Sequence, residues 1–232
     1  MKKRIYLLLL SVPVIFFSCK DKANEYAEQL FTNNEISIAL RVCIDSAAFY
    51  TINAFYDEKL GYSHSDSTYR LKLPKNVADT LIEHGFELRV AAMIDSLNNA
   101  AGRCGNNLFR DFWKPLSDSI KFPVPNAILR GGNNAITNFV KQNYQTEFIS
   151  FLTNNLLAEQ LNKFVVNEWN NLQNEYRIIT GTYSSIDILS LTAQQMVADF
   201  FKKMAEEEKI IREDPSRRGN SNGLFYNVFA IL

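Results

Sequence analysis

The most polar cluster of this sequence is the stretch MAEEEKIIREDPSRR near the C-terminus. Carboxylates in pairs can act as general acid and base, so this stretch is the first candidate for hydrolytic chemistry. Helical spacing places Glu208 on an otherwise apolar stripe, and a buried carboxylate must be paired or protonated. The stripe consists of Val197, Phe201, Met204, Glu208 and Ile211. Arg212, four residues on, is within reach of Glu208, and Arg217 or Arg218 could fold back beside it.

Two interpretations of Glu208 follow from this pattern. Its carboxylate could be tuned for catalysis, or it could form a structural ion pair with Arg212 that fixes the last helices. No histidine, metal-ligand set or nucleophile lies close in the sequence, so we favour the structural ion pair and assign no catalytic residue. A site assembled from distant residues is left open.

Metal and cofactor chemistry finds little support in the residue pattern. His64 and His84 are the only histidines, and neither has a second ligand at metal-binding spacing. The G-x-S-x-G pattern of serine hydrolases and the glycine loops that bind phosphates are both absent. We therefore expect a protein without metal or cofactor that is not an enzyme.

The N-terminus has the pattern of a signal peptide. A basic start precedes a largely apolar run from Ile5 to Phe17, which is shorter than the roughly 20 residues of a membrane-spanning helix. Ser18 and Cys19 end this run and resemble a bacterial lipobox, which implies cleavage after residue 18 and acylation of Cys19, palmitate included. Ordinary cleavage would instead leave a thiol or a disulfide at Cys19. We expect residues 19–31 to be a lipidated tether in the cell envelope, at the outer membrane, with the membrane face left open.

Charge and length limit the remaining classes. Loss of the three basic residues of the signal peptide leaves 22 Lys and Arg against 25 Asp and Glu, a net charge of −3. Nucleic-acid binding depends on clustered basic charge, so we expect no nucleic-acid partner. Residues 32–232 are long enough, and apolar enough, to form one globular domain.

Three further side chains could be modified in an exported protein. Cys43 and Cys104 lie on apolar helical stripes, where they could form a disulfide or act as small buried hydrophobic residues; the sequence leaves both open. The tripeptide Asp66-Ser67-Thr68 resembles an acceptor for O-linked glycans on exported bacterial proteins. Ser67 is the candidate acceptor because it lies in the polar segment 57–74, which we predict to be an exposed loop.

Most of the chain has helical periodicity. Thr32 and Glu35 have the spacing of a capping box at a helix start, and Gly85 is placed to end a short helix. Pro115 is expected to break the pattern. Later helices are predicted at about 135–144, 146–162, 163–176 and 187–213. No strand-like alternation of useful length occurs, so the sequence predicts an all-α, bundle-like domain.

Several stretches together resemble one family of exported bacterial proteins, the domain of unknown function 4197. They are TNNEISIAL, LKLP, SLNNAAGRC, ILRGGNNAITNFV and MAEEEKIIREDPSRR. The resemblance covers nearly all of the chain after the signal peptide. It implies a helical fold and an exported location, and it brings no activity.

Two functions from different classes fit these observations. The first is a non-enzymatic envelope lipoprotein that acts through an envelope protein partner. The alternative is a carrier of an apolar ligand, suggested by the 17 Phe and 10 Tyr of the chain. A hydrolase is the least favoured. A carrier needs an enclosed apolar cavity, whereas a partner-binding protein needs an exposed apolar patch.

Overall fold

A computed structural model describes residues 30–57, 61–104, 107–157, 160–161, 163–182 and 185–232. Over these residues the fold is all-α, with nine α-helices, two π-helical segments, one 3-10 turn and no strand. The predicted fold class is therefore confirmed. Residues 1–29, which include Cys19 and most of the expected tether, lie outside the described residues.

The helices follow one another with short connections except for one long loop. They are α1 (Asn33–Tyr56), α2 (Lys75–Glu83), α3 (Glu87–Arg103), α4 (Lys114–Ser119), α5 (Pro125–Leu129), α6 (Ala135–Phe151), α7 (Lys163–Thr180), α8 (Ile188–Glu213) and α9 (Leu224–Phe229). The π-helical segments are Leu108–Trp113, which precedes α4, and Leu152–Leu157, which continues α6. A 3-10 turn, Pro215–Arg218, joins α8 to α9.

Helix α1 is the centre of the core. It packs mainly against α8, and also against α9 and α5. It begins with the predicted capping box, since the Thr32 hydroxyl accepts the Glu35 N–H at 3.2 Å and the Thr32 N–H donates to the Glu35 carboxylate at 2.7 Å. By length and composition it is the one described helix apolar enough to cross a membrane, but 50% of that stretch is buried inside the protein. Its hydrophobicity thus reflects packing on several sides.

The long loop between α1 and α2 is fixed by two amide side chains. Asn98 of α3 accepts the Leu71 N–H at 2.8 Å and donates to the Leu71 carbonyl at 3.1 Å. Gln195 of α8 makes the same pair of bonds with Lys72, at 2.9 and 2.7 Å. These amides take the place of a neighbouring strand, so the described part of the loop after Gly61 is held against the helices without regular secondary structure.

Local signals predicted several helix ends correctly and two incorrectly. Helix α2 ends at the predicted glycine, since Gly85 has a φ of 87°. The predicted division near residue 145 is wrong, because α6 runs unbroken through it and keeps its apolar face through Phe148. Pro115 does not end the helical run: the π-helical segment Leu108–Trp113 continues directly into α4, and Pro115 lies in the first turn of α4.

The aromatic residues fill the core by packing against one another. The Phe148 ring lies 4.5 Å from Phe112 in a stacked arrangement and 4.9 Å from Phe200 edge to face. Phe200 also contacts Phe201 and Trp113, with ring centroids 5.6 and 5.4 Å apart. Such pairs stabilise a core beyond the area they bury. Many of the aromatic residues that suggested a ligand cavity therefore fill the interior of the protein, whereas Phe49 and Phe164 are exposed.

Candidate functional site

The structure places the Glu208 carboxylate at the N-terminus of α6. Its two oxygens accept the backbone N–H groups of Ile136, at 3.1 Å, and Thr137, at 2.7 Å. Asn134, the residue that precedes α6, makes no capping bond with its side chain. Glu208 of α8 therefore caps α6 from another part of the chain, and its negative charge is favourably placed at the positive end of that helix.

Arg212 connects the same carboxylate to the end of α5. Its Nε donates to Glu208 Oε1 at 2.8 Å, and its Nη1 donates to the Leu129 carbonyl at 2.7 Å. Its Nη2 donates to the Ile128 carbonyl at 3.3 Å. These carbonyls belong to the last turn of α5, so the cation lies at a negative helix end. The pair joins the end of α5 to the start of α6 across α8.

Arg218 extends this arrangement to α9. Its Nε donates to the Ile211 carbonyl at 2.9 Å, its Nη1 to the Phe229 carbonyl at 3.1 Å, and its Nη2 to the Arg212 carbonyl. Burial lowers the pKa of Arg218 below the usual arginine range. We call Glu208, Arg212 and Arg218 the clasp. Within the clasp, Arg218 is connected to Arg212 through the Arg212 backbone carbonyl and not through the Glu208 carboxylate.

Arg217 lies on the outer side of the clasp and does not contact Glu208. Its Nη2 donates to Glu207 at 2.7 Å, and Lys203 approaches the same carboxylate at 2.8 Å. The Arg217 guanidinium also lies over the ring of Tyr50, 3.9 Å from its centroid. The 3-10 turn is thus attached to both α8 and α1.

The clasp leaves no room for a substrate. Glu208 is 0% exposed, and its carboxylate oxygens accept three hydrogen bonds from the protein. Arg212 and Arg218 are each only 7% exposed. General acid or base catalysis requires a substrate within hydrogen-bonding reach of the carboxylate, and this geometry offers a structural role instead.

Ser67 and His84, which were also singled out from the sequence, are not part of the clasp and make local hydrogen bonds. Ser67 is half-buried, and its hydroxyl accepts the Tyr69 N–H at 3.1 Å within a local turn. His84 Nδ1 lies 2.8 Å from the Thr80 carbonyl, one turn back along α2. Within the described residues, no group of three or more His, Cys, Asp or Glu side chains could hold a metal ion.

Cys43 and Cys104 are not joined by a disulfide, which decides between the two alternatives for this pair. Both are buried in the core, and the Cys104 thiol donates to the Ala100 carbonyl at 3.4 Å. Burial raises the pKa of the Cys43 thiol well above its ordinary value. A thiol with a raised pKa is a poor nucleophile, so Cys43 acts as a small core residue.

Asp199 is a titratable group that the sequence did not single out. It lies on α8 close to Tyr62 and Tyr69 of the long loop, with Lys202 and Lys203 nearby on its own helix. Burial raises the pKa of Asp199 from 3.8 to about 6, and the charge of Lys202 opposes this shift. The sequence gives little indication of the burial of Asp199, because Tyr62 and Tyr69 lie more than a hundred residues before it in the chain.

The raised pKa of Asp199 predicts that the stability of the protein depends on pH. The folded protein holds the Asp199 proton more tightly than the unfolded chain, so stability falls as the pH rises from about 4 to about 6. We expect Asp199→Asn to stabilise the protein at about pH 7 by roughly 1 kcal/mol, a value reduced for partial exposure, and to change little near pH 4. Urea unfolding at both pH values, with Asp66→Asn at an exposed position of the long loop as control, measures this. An equal gain at both pH values would contradict it.

A surface cleft lies where the two π-helical segments come together. Its volume is about 480 Å³, and it is open to solvent. The lining residues are Asp111, Phe112, Pro115, Leu116, Ser119, Glu147, Ser150, Phe151, Asn154 and Asn155. The sequence did not indicate it, because π-helical turns have no clear pattern in a single sequence and the two halves are about 40 residues apart.

One face of α1 is exposed although it is apolar. Ile38, Val42 and Phe49 are 40%, 39% and 49% exposed, and their spacing places them on the same side of the helix. A shallow groove of about 230 Å³ beside Phe49 is also lined by Asp45, Ser46 and Tyr50. We call Ile38, Val42 and Phe49 the α1 stripe.

Comparison with known proteins gives one match. Residues 30–230 match the family described as Protein of unknown function (DUF4197). No curated protein and no solved structure matches the chain.

Proposed function

We propose that this chain, which belongs to the family Protein of unknown function (DUF4197), is a non-enzymatic lipoprotein of the bacterial cell envelope that acts by binding a protein partner. The lipid on Cys19 holds it at the outer membrane. Residues 19–31 separate the lipid from α1, and fully extended they would span roughly 43 Å, so the domain can stand off the membrane surface.

The α1 stripe is the observation that supports a protein partner. Single exposed apolar residues are common on soluble proteins and need no explanation. Here Ile38, Val42 and Phe49 follow one face of the central helix over about three turns, and Phe49 borders a groove. Asp45 and Ser46 lie between Val42 and Phe49, so the three apolar residues are aligned on one face without being contiguous. Exposed apolar residues on one helix face are a feature of protein interaction sites, where an aromatic residue often contributes most of the affinity.

The carrier alternative has less support. A carrier would need an enclosed apolar cavity, whereas the described clefts are open to solvent and have polar groups in their walls. The buried aromatic rings contact one another at centroid distances of 4.5 to 6.1 Å. A hydrolase acting through Glu208 has less support still, because that carboxylate has no exposed surface.

The partner proposal is tested on protein gently extracted from its own membranes. We expect native mass spectrometry to detect a heavier complex, and we expect the double variant Val42→Asn, Phe49→Asn to reduce its population at least tenfold. Both side chains are exposed, so the melting temperature should change little.

A matched control is the double variant Leu88→Asn, Phe164→Asn, which removes apolar side chains that are 80% and 77% exposed on other helices. This control should leave the complex intact. Equal loss in both double variants, or no complex in the native protein, would overturn the proposal. An added mass of a few hundred daltons beyond the lipid would instead favour the carrier.

A further inference from the structure

A second groove lies where the start of α1 meets the residues before α5. Its volume is about 560 Å³, and it is open to solvent. The lining residues are Phe31, Thr32, Asn33, Pro123, Val124, Pro125, Asn126 and Ala127. Among these eight described lining residues five are apolar and none is charged, so the groove favours an uncharged, partly apolar occupant. We call it the α1–α5 groove.

Two large apolar side chains are exposed beside this groove. Val124, in its wall, is 59% exposed, and Leu30, directly before Phe31, is 53% exposed. Phe31 itself is half-buried and packs against the core. Removing apolar surface from water is favourable, so a segment that covered Val124 and Leu30 would be held there.

The described part of the chain begins at the rim of the α1–α5 groove. Leu30 has a helical backbone, and the next three residues line the groove. Phe31 and Ile36 occupy the two positions of a hydrophobic staple around the Thr32 cap, an arrangement that fixes the angle at which the chain enters a helix. The residues before Leu30 are therefore attached next to the groove.

The same residues have the sequence pattern of an amphipathic helix. The apolar positions recur at i, i+3, i+4 and i+7, which places them on one helical face, and both glutamates of the tether fall on the opposite face. The apolar residues are Ala23, Tyr26, Ala27 and Leu30. A helix this short is marginal in water by itself, so its apolar face needs a surface to pack against.

We propose that residues 23–29 bind in the α1–α5 groove as helical turns that continue to Leu30, with Tyr26 and Ala27 against Val124. Tyr26 precedes Phe31 by five residues, a rise of roughly 8 Å along a helix, so its ring reaches the groove. The bilayer and a second copy of the chain are the other candidate occupants. Residues 23–29 are favoured over both because they are covalently attached at the rim, which gives them a high effective concentration there.

Docking of this segment deepens the proposed function by setting how the lipid holds the domain, and this consequence rests on the proposed lipid at Cys19. With residues 23–31 packed, only residues 19–22 connect the lipid to the domain. Fully extended, these four residues span roughly 13 Å, compared with roughly 43 Å for the whole tether. The end of the domain that carries the α1–α5 groove would then face the membrane.

Hydrogen exchange measured by mass spectrometry tests the docking. It is applied to the full-length protein in detergent and to the chain from Lys20 onward, which has no lipid attachment residue. We expect the amides of residues 23–29 to exchange about tenfold more slowly in both proteins than in a free peptide of the same sequence. Val124→Asp should abolish this protection, because it places a charge in an apolar groove.

The matched control is Leu88→Asp on α3, which changes a side chain that is 80% exposed. Val124 is the N-cap of α5, and Leu88 lies in the first turn of α3. Aspartate is favourable at both places, so both variants should keep the fold. Leu88→Asp should leave the protection of residues 23–29 unchanged.

Oxidative crosslinking of the chain from Lys20 onward locates the segment. The pair Tyr26→Cys, Val124→Cys should form an intramolecular disulfide about tenfold faster than the pair Tyr26→Cys, Leu88→Cys. Cys43 and Cys104 are 0% and 1% exposed, so their thiols should not compete.

The outcomes separate the three occupants. A disulfide between two chains would identify a second copy, and protection in the lipidated protein alone would identify the bilayer; either result would overturn the proposal. So would equal protection in Val124→Asp and the native protein, or equal rates for the two cysteine pairs. Protection in the chain from Lys20 onward does not depend on the lipid, so it supports the docking even if Cys19 proves not to be acylated.

Discussion

Replacing Glu208 by glutamine is expected to lower the free energy of unfolding by about 3–5 kcal/mol. The substitution keeps the shape of the side chain but removes its charge. Arg212 would then be a cation that is 7% exposed and lacks its counterion, and α6 would lose a negative cap at its first turn. Breaking one partner of a buried pair is costly because the other charge remains buried. Chemical denaturation of the purified protein measures the change.

The matched control is Glu213→Gln, five residues further along α8. Glu213 also accepts a hydrogen bond, from Asn133 at 2.7 Å, but its side chain is 54% exposed. We expect this variant to change the free energy of unfolding by less than about 1 kcal/mol. Equal effects of the two substitutions would show that the clasp does not stabilise the fold.

A double-mutant cycle separates the ion pair from the backbone contacts. Arg212→Met alone leaves Glu208 charged and removes the donors to the carbonyls of Ile128 and Leu129. If the pair is coupled, the double variant Glu208→Gln, Arg212→Met loses less stability than the sum of the single variants, by about 1–3 kcal/mol. Additive losses would mean that the two side chains act independently, each through its own helix end.

Removal of the lipid attachment residue is expected to have the largest effect on location. Cys19→Ala eliminates the thiol that would carry the diacylglycerol, so we expect no incorporation of labelled fatty acid and loss of the protein from washed membranes. Each buried methylene contributes about 0.8 kcal/mol, and a protein with two or more chains stays on a membrane where one chain does not hold it. Membrane fractionation and intact mass measure both results.

A second form of the protein distinguishes anchoring by the lipid from anchoring by an uncleaved signal peptide. The chain from Lys20 onward, exported behind an ordinary signal peptide with an A-x-A cleavage site, should appear in the soluble fraction. Cys43→Ala is the control for cysteine removal, because that thiol is buried in the core, and it should remain at the membrane. Unchanged membrane association of the chain from Lys20 would exclude the lipid as the anchor.

Local sequence patterns determined the helical class and many of the helix ends. The Thr32 capping box, the positive-φ glycine at residue 85 and the Asp214 cap of the 3-10 turn all form within a few residues. The approach of Arg212 to Glu208 was also predictable, because residues four apart on a helix are neighbours. Helical spacing likewise indicated that Glu208 would be buried, since it shares a stripe with apolar residues.

Packing between distant parts of the chain decided which groups these side chains contact. The N–H groups that Glu208 caps belong to Ile136 and Thr137, about 70 residues earlier, and no local pattern names them. The open cleft is lined by two π-helical segments about 40 residues apart in the chain, and its lining residue Phe112 stacks on Phe148. The sequence by itself therefore determined the helices and the burial of the clasp, because spacing along one helix controls both. Only the tertiary structure decided the partners of Glu208, the cleft and the exposed α1 stripe, because these depend on which helices meet.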